Sequence, residues 1–257
     1  MANVDRNLSQ TGVRLQKFLS EAGVCSRRSG EEAILRGEVL IDNQRVALGT
    51  RVLAGQLVTF HGVAVPATKI SKRRTVLALN KPRGYICSHS DPLHGNEETI
   101  YALLAPYKNH KLICCGRLDK DSEGLVVLTD DGNLASQLMH PTHGILKHYH
   151  VTIDKPLRER HRLALLDGIC DDGENLTLKS IRSVEGSSRK VDITLSCGKK
   201  RHIRRMLSAF DYTVKSLERY QIGGLTLDGI RRGRYFILQE KHMRKLFPQC
   251  LGEACGQ

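Results

Sequence analysis

No tryptophan occurs among the 257 residues, and Phe, Tyr and Trp together make up only 5% of the chain. Side chains that can stack on a flat ring are therefore scarce, and each tyrosine counts in a search for a ring-binding site. No apolar stretch approaches the ~18 residues that a membrane-spanning helix needs, and no lipidation motif is present, which argues against a membrane protein. Residues 1–10 are polar and lack an apolar core, so a secretory leader is not expected. Eight cysteines stand at 25, 87, 114, 115, 170, 197, 250 and 255, with no Cys-x-x-Cys pair and several inside apolar runs. That pattern fits reduced thiols in a cytoplasmic protein better than a disulfide scaffold. His140 with His143, or His148 with His150, could be drawn as zinc ligands, but without paired cysteines at ligand spacing no metal is expected. Internal repeats and low-complexity segments are also missing.

Acid is scarce too. Forty Lys and Arg face 27 Asp and Glu, for a net charge of +13. A charge this positive favours a polyanionic partner, nucleic acid before an anionic membrane surface.

Residues 1–12 read as a frayed tail. Leu15, Phe18, Leu19 and Ala22 then share one face of a helix ended by Gly23. Ser26 is placed to cap a second helix, with Ser29 and Glu32 at capping-box spacing, and Gly37 stops it. Strands are expected at 39–41, 46–47 and 57–60. Residues 13–62 thus form a small helix-helix-sheet domain, 63–74 a linker with Pro66 and a basic end, and 75–248 a larger domain. Residues 1–74 carry 12 Lys and Arg against 6 Asp and Glu, with Arg14, Lys17, Arg27 and Arg28 as candidate phosphate contacts.

The larger domain opens with a strand, Val76-Leu77-Ala78-Leu79, that runs into Asn80-Lys81-Pro82-Arg83-Gly84-Tyr85. Further strands are expected at 147–153, 176–178, 191–195, 221–222 and 235–238, and helices at 134–139, 157–166, 203–210 and 241–247. Many short strands with few helices indicate an α+β class with a largely antiparallel or mixed sheet.

The stretch around which this domain is organised is Gly116-Arg117-Leu118-Asp119-Lys120-Asp121-Ser122-Glu123-Gly124, between the apolar runs 111–115 and 125–128. A polar loop with two glycines between hydrophobic strands can present a side chain at a cleft floor. It can equally be a hairpin with a solvated tip. An ionised aspartate flanked by Arg117 and Lys120 can act as nucleophile or base. Glycosidic attack, an aspartyl phosphate and metal-assisted hydrolysis all fit an Asp-x-Asp pair. The second usually has a strand leading straight into the first Asp, and the third further carboxylates or histidines nearby. Glycosidic chemistry on a nucleic acid fits best. A second cluster, Lys199-Lys200-Arg201-His202-Ile203-Arg204-Arg205, places five basic residues in seven at the start of a helix whose Ile203, Met206, Leu207 and Phe210 face a core.

The loop resembles the active-site motif of the ribosomal RNA pseudouridine synthases of the RsuA/RluB-like family, matching G-R-L-D-x-x-S-x-G-L at every fixed position. Residues 14–19, 23–28 and 37–42 resemble the RNA-binding domain of the ribosomal-protein S-four type. The resemblance spans roughly residues 13–247. It implies an enzyme, a pseudouridine synthase, that isomerises a uridine in ribosomal RNA, with the large subunit (23S) favoured over the small (16S). Asp119 would act at the ribose. Tyr149, in Lys147-x-Tyr149-x-Val151, would stack on the uracil and could accept its C5 proton. Arg204 would ion-pair with the catalytic aspartate, and Asn80-Lys81-Pro82 would support the loop. Arg117, Lys199, Lys200, Arg201 and Arg205 would meet RNA. The family commonly has Gln where this chain has His202. No cofactor is implied, and a monomer is expected. The rival reading is a non-catalytic RNA-binding or ribosome-assembly factor on the same fold; a nucleic-acid hydrolase is more remote.

Overall fold

A computed structural model of the chain describes residues 12–66, 74–88 and 98–247. It divides into two compact units, Met1–Lys72 and Arg73–Gln257.

In the first unit, β1 (Val13–Arg14) leads into α1 (Leu15–Glu21) and α2 (Arg27–Leu35). Then come β2 (Val39–Ile41), β3 (Gln44–Arg45), β4 (Arg51–Val52), β5 (Val58–Phe60) and β6 (Val63–Val65). Ser26 caps α2 as expected, its hydroxyl accepting the Ser29 N–H at 3.1 Å. Leu15 and Leu19 are fully buried against Val39, Ile41 and Val58. Two corrections arise from turn chemistry. The strand expected at 46–47 is Gln44–Arg45, because Asp42 and Asn43 both take positive φ (50° and 63°) and make a two-residue hairpin turn. Val63–Val65, read as the start of the linker, instead pairs with β5, because His61 and Gly62 repeat that turn. Residues 67–73 of that linker, 1–11 of the expected tail and 248 lie outside the described residues.

The second unit comprises β7 (Val76–Lys81), a 3-10 helix (Ile100–Tyr107), β8 (Ile113–Cys115), β9 (Glu123–Thr129), α3 (Gly132–Met139) and β10 (Lys147–Ile153). It continues with α4 (Glu159–Asp167), β11 (Ile169–Asp171), β12 (Glu174–Leu176), β13 (Ser180–Val184), β14 (Ser187–Leu195) and α5 (His202–Ser208). Last come β15 (Val214–Ile222), β16 (Leu225–Thr226), β17 (Tyr235–Ile237) and α6 (Glu240–Leu246). One nine-stranded sheet runs β13-β14-β10-β15-β9-β7-β17, with β16 on β15 and β8 on β9. Its pairs are antiparallel except β15 with β9. The unit is α+β with a mixed sheet.

β7 and β9 sit at the sheet centre and are buried on both faces. Their alternation divides the interior, with Leu77, Leu79, Val126 and Leu128 facing Ile203 and Met206 of α5. Val76, Ala78, Leu125 and Val127 face α3 and Leu246 of α6. This explains why 125–128 reads as a continuous apolar run. The strand expected at 221–222 proves to be nine residues long. Its polar majority, from Val214 to Gln221, hid it from a search for apolar runs.

Where β9 meets β15, Gly124 opposes Arg219, and a Cβ on Gly124 would lie 2.3 Å from the Arg219 carbonyl oxygen at a φ of +105°. Backbone cannot yield as a flexible side chain does. Gly124→Ala should therefore destabilise the chain by at least about 2 kcal/mol. Thermal or urea unfolding checks this, and an unchanged midpoint would mean that the two strands part freely.

Candidate active site

Residues 116–122 close the hairpin between β8 and β9, whose pairing runs from Ile113 opposite Thr129 to Cys115 opposite Val127. Gly116 takes a φ of +84°, which turns the chain out of β8. Two buried cations then fix the loop. Arg219, 1% exposed, reaches from β15 and donates to the carbonyls of Leu125 and Gly116, both at 2.7 Å. Lys81, fully buried at the end of β7, donates to the carbonyls of Ser122 (2.7 Å), Asp119 (3.1 Å) and Pro82 (3.1 Å), with that of Lys120 at 3.4 Å. Burial depresses the Lys81 ammonium from its ordinary range, opposed by Cys87, Asp119, Asp121 and Glu123. The Leu118 N–H donates to Cys87 Sγ at 3.4 Å, and the Gly84 N–H to the Lys120 carbonyl at 2.8 Å.

So held, the loop directs its two carboxylates to different places. Asp119, half-buried, lines a cavity of about 580 Å³ together with Arg117, Lys147, Tyr149, Leu217 and Arg219. Asp121 lines a neighbouring cleft of about 620 Å³ with Arg204, Arg205 and Tyr212. A turn closed by the Ser122 N–H on the Asp119 carbonyl (3.1 Å) separates them.

The expected pairing of Arg204 with Asp119 needs correction. Arg204, on the first turn of α5, closes on Asp121 at 3.2 Å. It also donates to the carbonyls of Asp121 (3.1 Å) and Val214 (3.3 Å) and to Ser122 Oγ (3.2 Å). Arg204 also lines the Asp119 cavity, but Asp119 acts on it only through space, after Asp121 in strength. The motif specifies charge types; the Ser122 turn decides which carboxylate faces α5.

Tyr149 both belongs to the core, at 6% exposure, and lines the Asp119 cavity. Lys147, two residues earlier on β10, shares its face. Of the remaining sequence candidates, Arg117, Lys199, Lys200 and Arg201 line the same cavity. Arg201 also reaches Asp121 at 3.5 Å, and Lys199 reaches Glu174 at 3.7 Å. Arg205 departs from expectation. Its guanidinium is taken up by Asp171 and Glu174 on the β11–β12 hairpin, so its role is to anchor α5. Arg14, Arg27 and Arg28 are exposed on the first unit, and Lys17 pairs with Glu21 at 3.6 Å. His202, 4% exposed, accepts the Lys199 N–H at Nδ1 (3.4 Å). Burial and then Lys199 hold its imidazole below the ordinary range, which keeps Nδ1 an acceptor.

Sequence reading missed Arg219. Nothing separates it from Lys215 or Glu218 in a polar strand; only the sheet turns it inward.

Comparisons with known proteins give matches in both units. The family described as RNA pseudouridylate synthase matches residues 75–209, and the S4 domain matches residues 13–58. The dual-specificity RNA pseudouridine synthase RluF of Salmonella typhi is 33% identical over 242 residues, covering 93% of this chain and 80% of its own. An uncharacterized RNA pseudouridine synthase of Mycobacterium leprae is 38% identical over 248 residues, covering 92% and 93%. The crystal structure of a pseudouridylate synthase superposes with a TM-score of 0.65 at 30% identity, covering 91% of this chain and 99% of that one.

The two buried lysines of the site should respond oppositely to removal. Lys81 meets four carbonyls, and Lys81→Met would strand several of them at about 1–3 kcal/mol each. Among the described residues Lys147 meets only the Ile145 carbonyl (3.3 Å), and burial, then Arg219, pulls its ammonium down to about 8 from an ordinary 10.5. Folding therefore disfavours protonated Lys147, a penalty complete below pH 8 and relieved as pH rises toward 10.5. Lys147→Met should raise the unfolding midpoint at pH 7, with the gain shrinking across pH 8 to 10.5, whereas Lys81→Met should lower it. Thermal unfolding across that pH range checks both, and a loss for Lys147→Met at pH 7 would contradict the assignment.

Proposed function

The chain belongs to the RNA pseudouridylate synthase family, and on that premise we propose that it isomerises a uridine of ribosomal RNA with Asp119 as the reacting carboxylate. The observation that carries this reading is the shared cavity. Asp119 and Tyr149 line it together, while the carbonyls flanking Asp119 are held by Lys81. A target uridine leaves its stack, and its base lies against the Tyr149 ring, a contact worth about 1–3 kcal/mol. Asp119 acts at the ribose, either at C1′ or on the C2′ proton, and the N1–C1′ bond breaks. The uracil rotates, C5 bonds to C1′, and the C5 proton passes to an acceptor, for which Tyr149 is the candidate. Arg204 acts through Asp121 and the Ser122 turn, a positioning role. Arg117, Lys199, Lys200 and Arg201 supply phosphate contacts around the cavity mouth.

Residues 13–65 bind the RNA, and residues 75–247 carry the chemistry. The protein works as a cytoplasmic monomer; no helix among the described residues is long and apolar enough to cross a membrane. Large-subunit RNA is the proposed substrate, following the resemblance of the motifs.

Asp119→Asn should abolish pseudouridine formation and leave RNA affinity nearly unchanged, because the amide keeps the shape but not the carboxylate. Single-turnover conversion of ribosomal RNA tests it, and product from the variant would remove Asp119 from the mechanism. Mapping pseudouridine in cells with and without the gene identifies the subunit.

The exposed Arg14, Arg27 and Arg28 should contribute affinity rather than chemistry. Each phosphate contact removed should lower the slope of log K against log salt by roughly one unit. Replacing all three with alanine should weaken binding and flatten that slope, with turnover at saturating RNA retained. Unaltered salt dependence would show that this face does not meet RNA.

A further inference from the structure

Two thiols meet beneath the loop that carries Asp119. Cys87 follows the Gly84 turn beyond β7, next to the bridge between Ile86 and Thr99, and Cys114 lies on β8. Both line the Asp119 cavity, and their side chains are hydrogen-bonded to each other. Cys87 Sγ also accepts the N–H of Leu118, the residue before Asp119, at 3.4 Å. Strand alternation sends the neighbouring Cys115 into the opposite core, where its thiol bonds the Ile113 carbonyl at 3.6 Å.

We propose that Cys87 and Cys114 form a dithiol site in the wall of the Asp119 cavity that takes a hydroperoxide and closes to a disulfide. Buried cysteines commonly act as small apolar fillers. This pair differs because a backbone N–H and the Lys81 charge address Cys87 alone of the three thiols. The Cys114 hydrogen bond, the Leu118 N–H, Lys81 and Arg219 hold the Cys87 thiol below its ordinary range against the effect of burial. The same thiol–thiol bond, reinforced by burial, pushes Cys114 well up. Within the pair, the lowered member is the better nucleophile and the raised member holds its proton more tightly, the asymmetry that disulfide closure uses. Cys115, pushed up to about 12 chiefly by burial, is an internal contrast.

The Cys87 thiolate attacks the outer oxygen of the hydroperoxide. The O–O bond breaks, Cys87 becomes a sulfenic acid, and the alkoxide or hydroxide leaves and takes up the proton that Cys87 had lost. Cys114 sulfur then attacks Cys87 sulfur. The S–O bond breaks, and the hydroxyl departs as water with the Cys114 proton. Two thiols give two electrons and two protons to one peroxide. The new bond draws Cys87 toward β8 and away from the Leu118 N–H, so the peptide next to Asp119 loses an anchor. A displacement near 1 Å in an active site costs about 10²-fold in rate. This consequence rests on the role proposed for Asp119; formation of the bond does not.

The test treats the full-length chain with hydrogen peroxide, alkylates the remaining thiols after unfolding, and maps peptides by mass. Two of the eight thiols should disappear first and reappear as a Cys87–Cys114 linkage about 2 Da lighter than the reduced pair. Pseudouridine formation should fall about 10²-fold in step and return with dithiothreitol. Asp119→Asn, which has no turnover, should form the same linkage at the same rate, so the bond is scored even if the proposed activity is absent. Cys114→Ser, which keeps a hydrogen-bond donor beside Cys87 but cannot close a disulfide, should leave Cys87 as a sulfenic acid that dimedone traps. Oxidation reaching exposed Cys170 before Cys87, or no 87–114 linkage in either chain, would overturn the site. A complete linkage with undiminished turnover would overturn its connection to Asp119.

Discussion

Everything at the site depends on two positive charges held away from water. Lys81 and Arg219 lie inside the second unit and make no ion pair to a carboxylate among the described residues; they donate to backbone carbonyls instead. Burying a cation costs several kcal/mol, and several charge-assisted hydrogen bonds of about 1.5–3 kcal/mol each offset it. The consequence is directional. A carbonyl held by a buried cation cannot rotate freely, so the backbone between Gly116 and Ser122 sets the direction of Asp119, while Asp121 is also held by Arg204 and Arg201. Asp119 needs no partner of its own to point into the cavity.

That arrangement also explains why one helix and one loop cooperate. The α5 helix brings Arg204 to the back of the loop and engages Asp121 and Ser122 Oγ. Its other basic residue, Arg205, ties the helix to the β11–β12 hairpin. The basic cluster thus does two jobs. Its inner members fasten the helix and the loop to the sheet, and its outer members, Lys199 to Arg201, line the Asp119 cavity, with Lys199 and Arg201 sharing the carboxylates of Glu174 and Asp121.

The same interior explains the contrast between Lys81 and Lys147. Both are buried lysines on strand ends, and composition cannot tell them apart. Lys81 is surrounded by acceptors and stabilises its loop, whereas Lys147 sits near Arg219 with one carbonyl for a partner. A residue kept at such a cost to stability suits a cavity that receives a polyanion, because bound RNA would relieve the deficit of negative charge around it.

Periodicity and turn residues by themselves located most elements: α1, α2, β2, β5 and β10 follow from where apolar residues recur and where Ser26, Gly23 or Gly37 punctuate them. The Gly116–Gly124 motif identified the loop and the family through its resemblance to a known active-site motif; the residue types and spacing alone left a solvated hairpin and other carboxylate chemistries open. Tertiary structure alone decided the rest. It turned Arg219 inward from a strand whose sequence is mostly polar, and extended that strand to nine residues through pairing with β10 and β9. It gave Arg204 to Asp121 rather than Asp119, and Arg205 to a distant hairpin. It brought Cys87 against Cys114 across 27 positions of sequence. Local sequence encodes backbone preference and the side-chain face, because those depend on neighbours within a few residues. Which charge meets which, and which thiol meets which, depends on strand order and register, and those are set by the burial of the whole sheet.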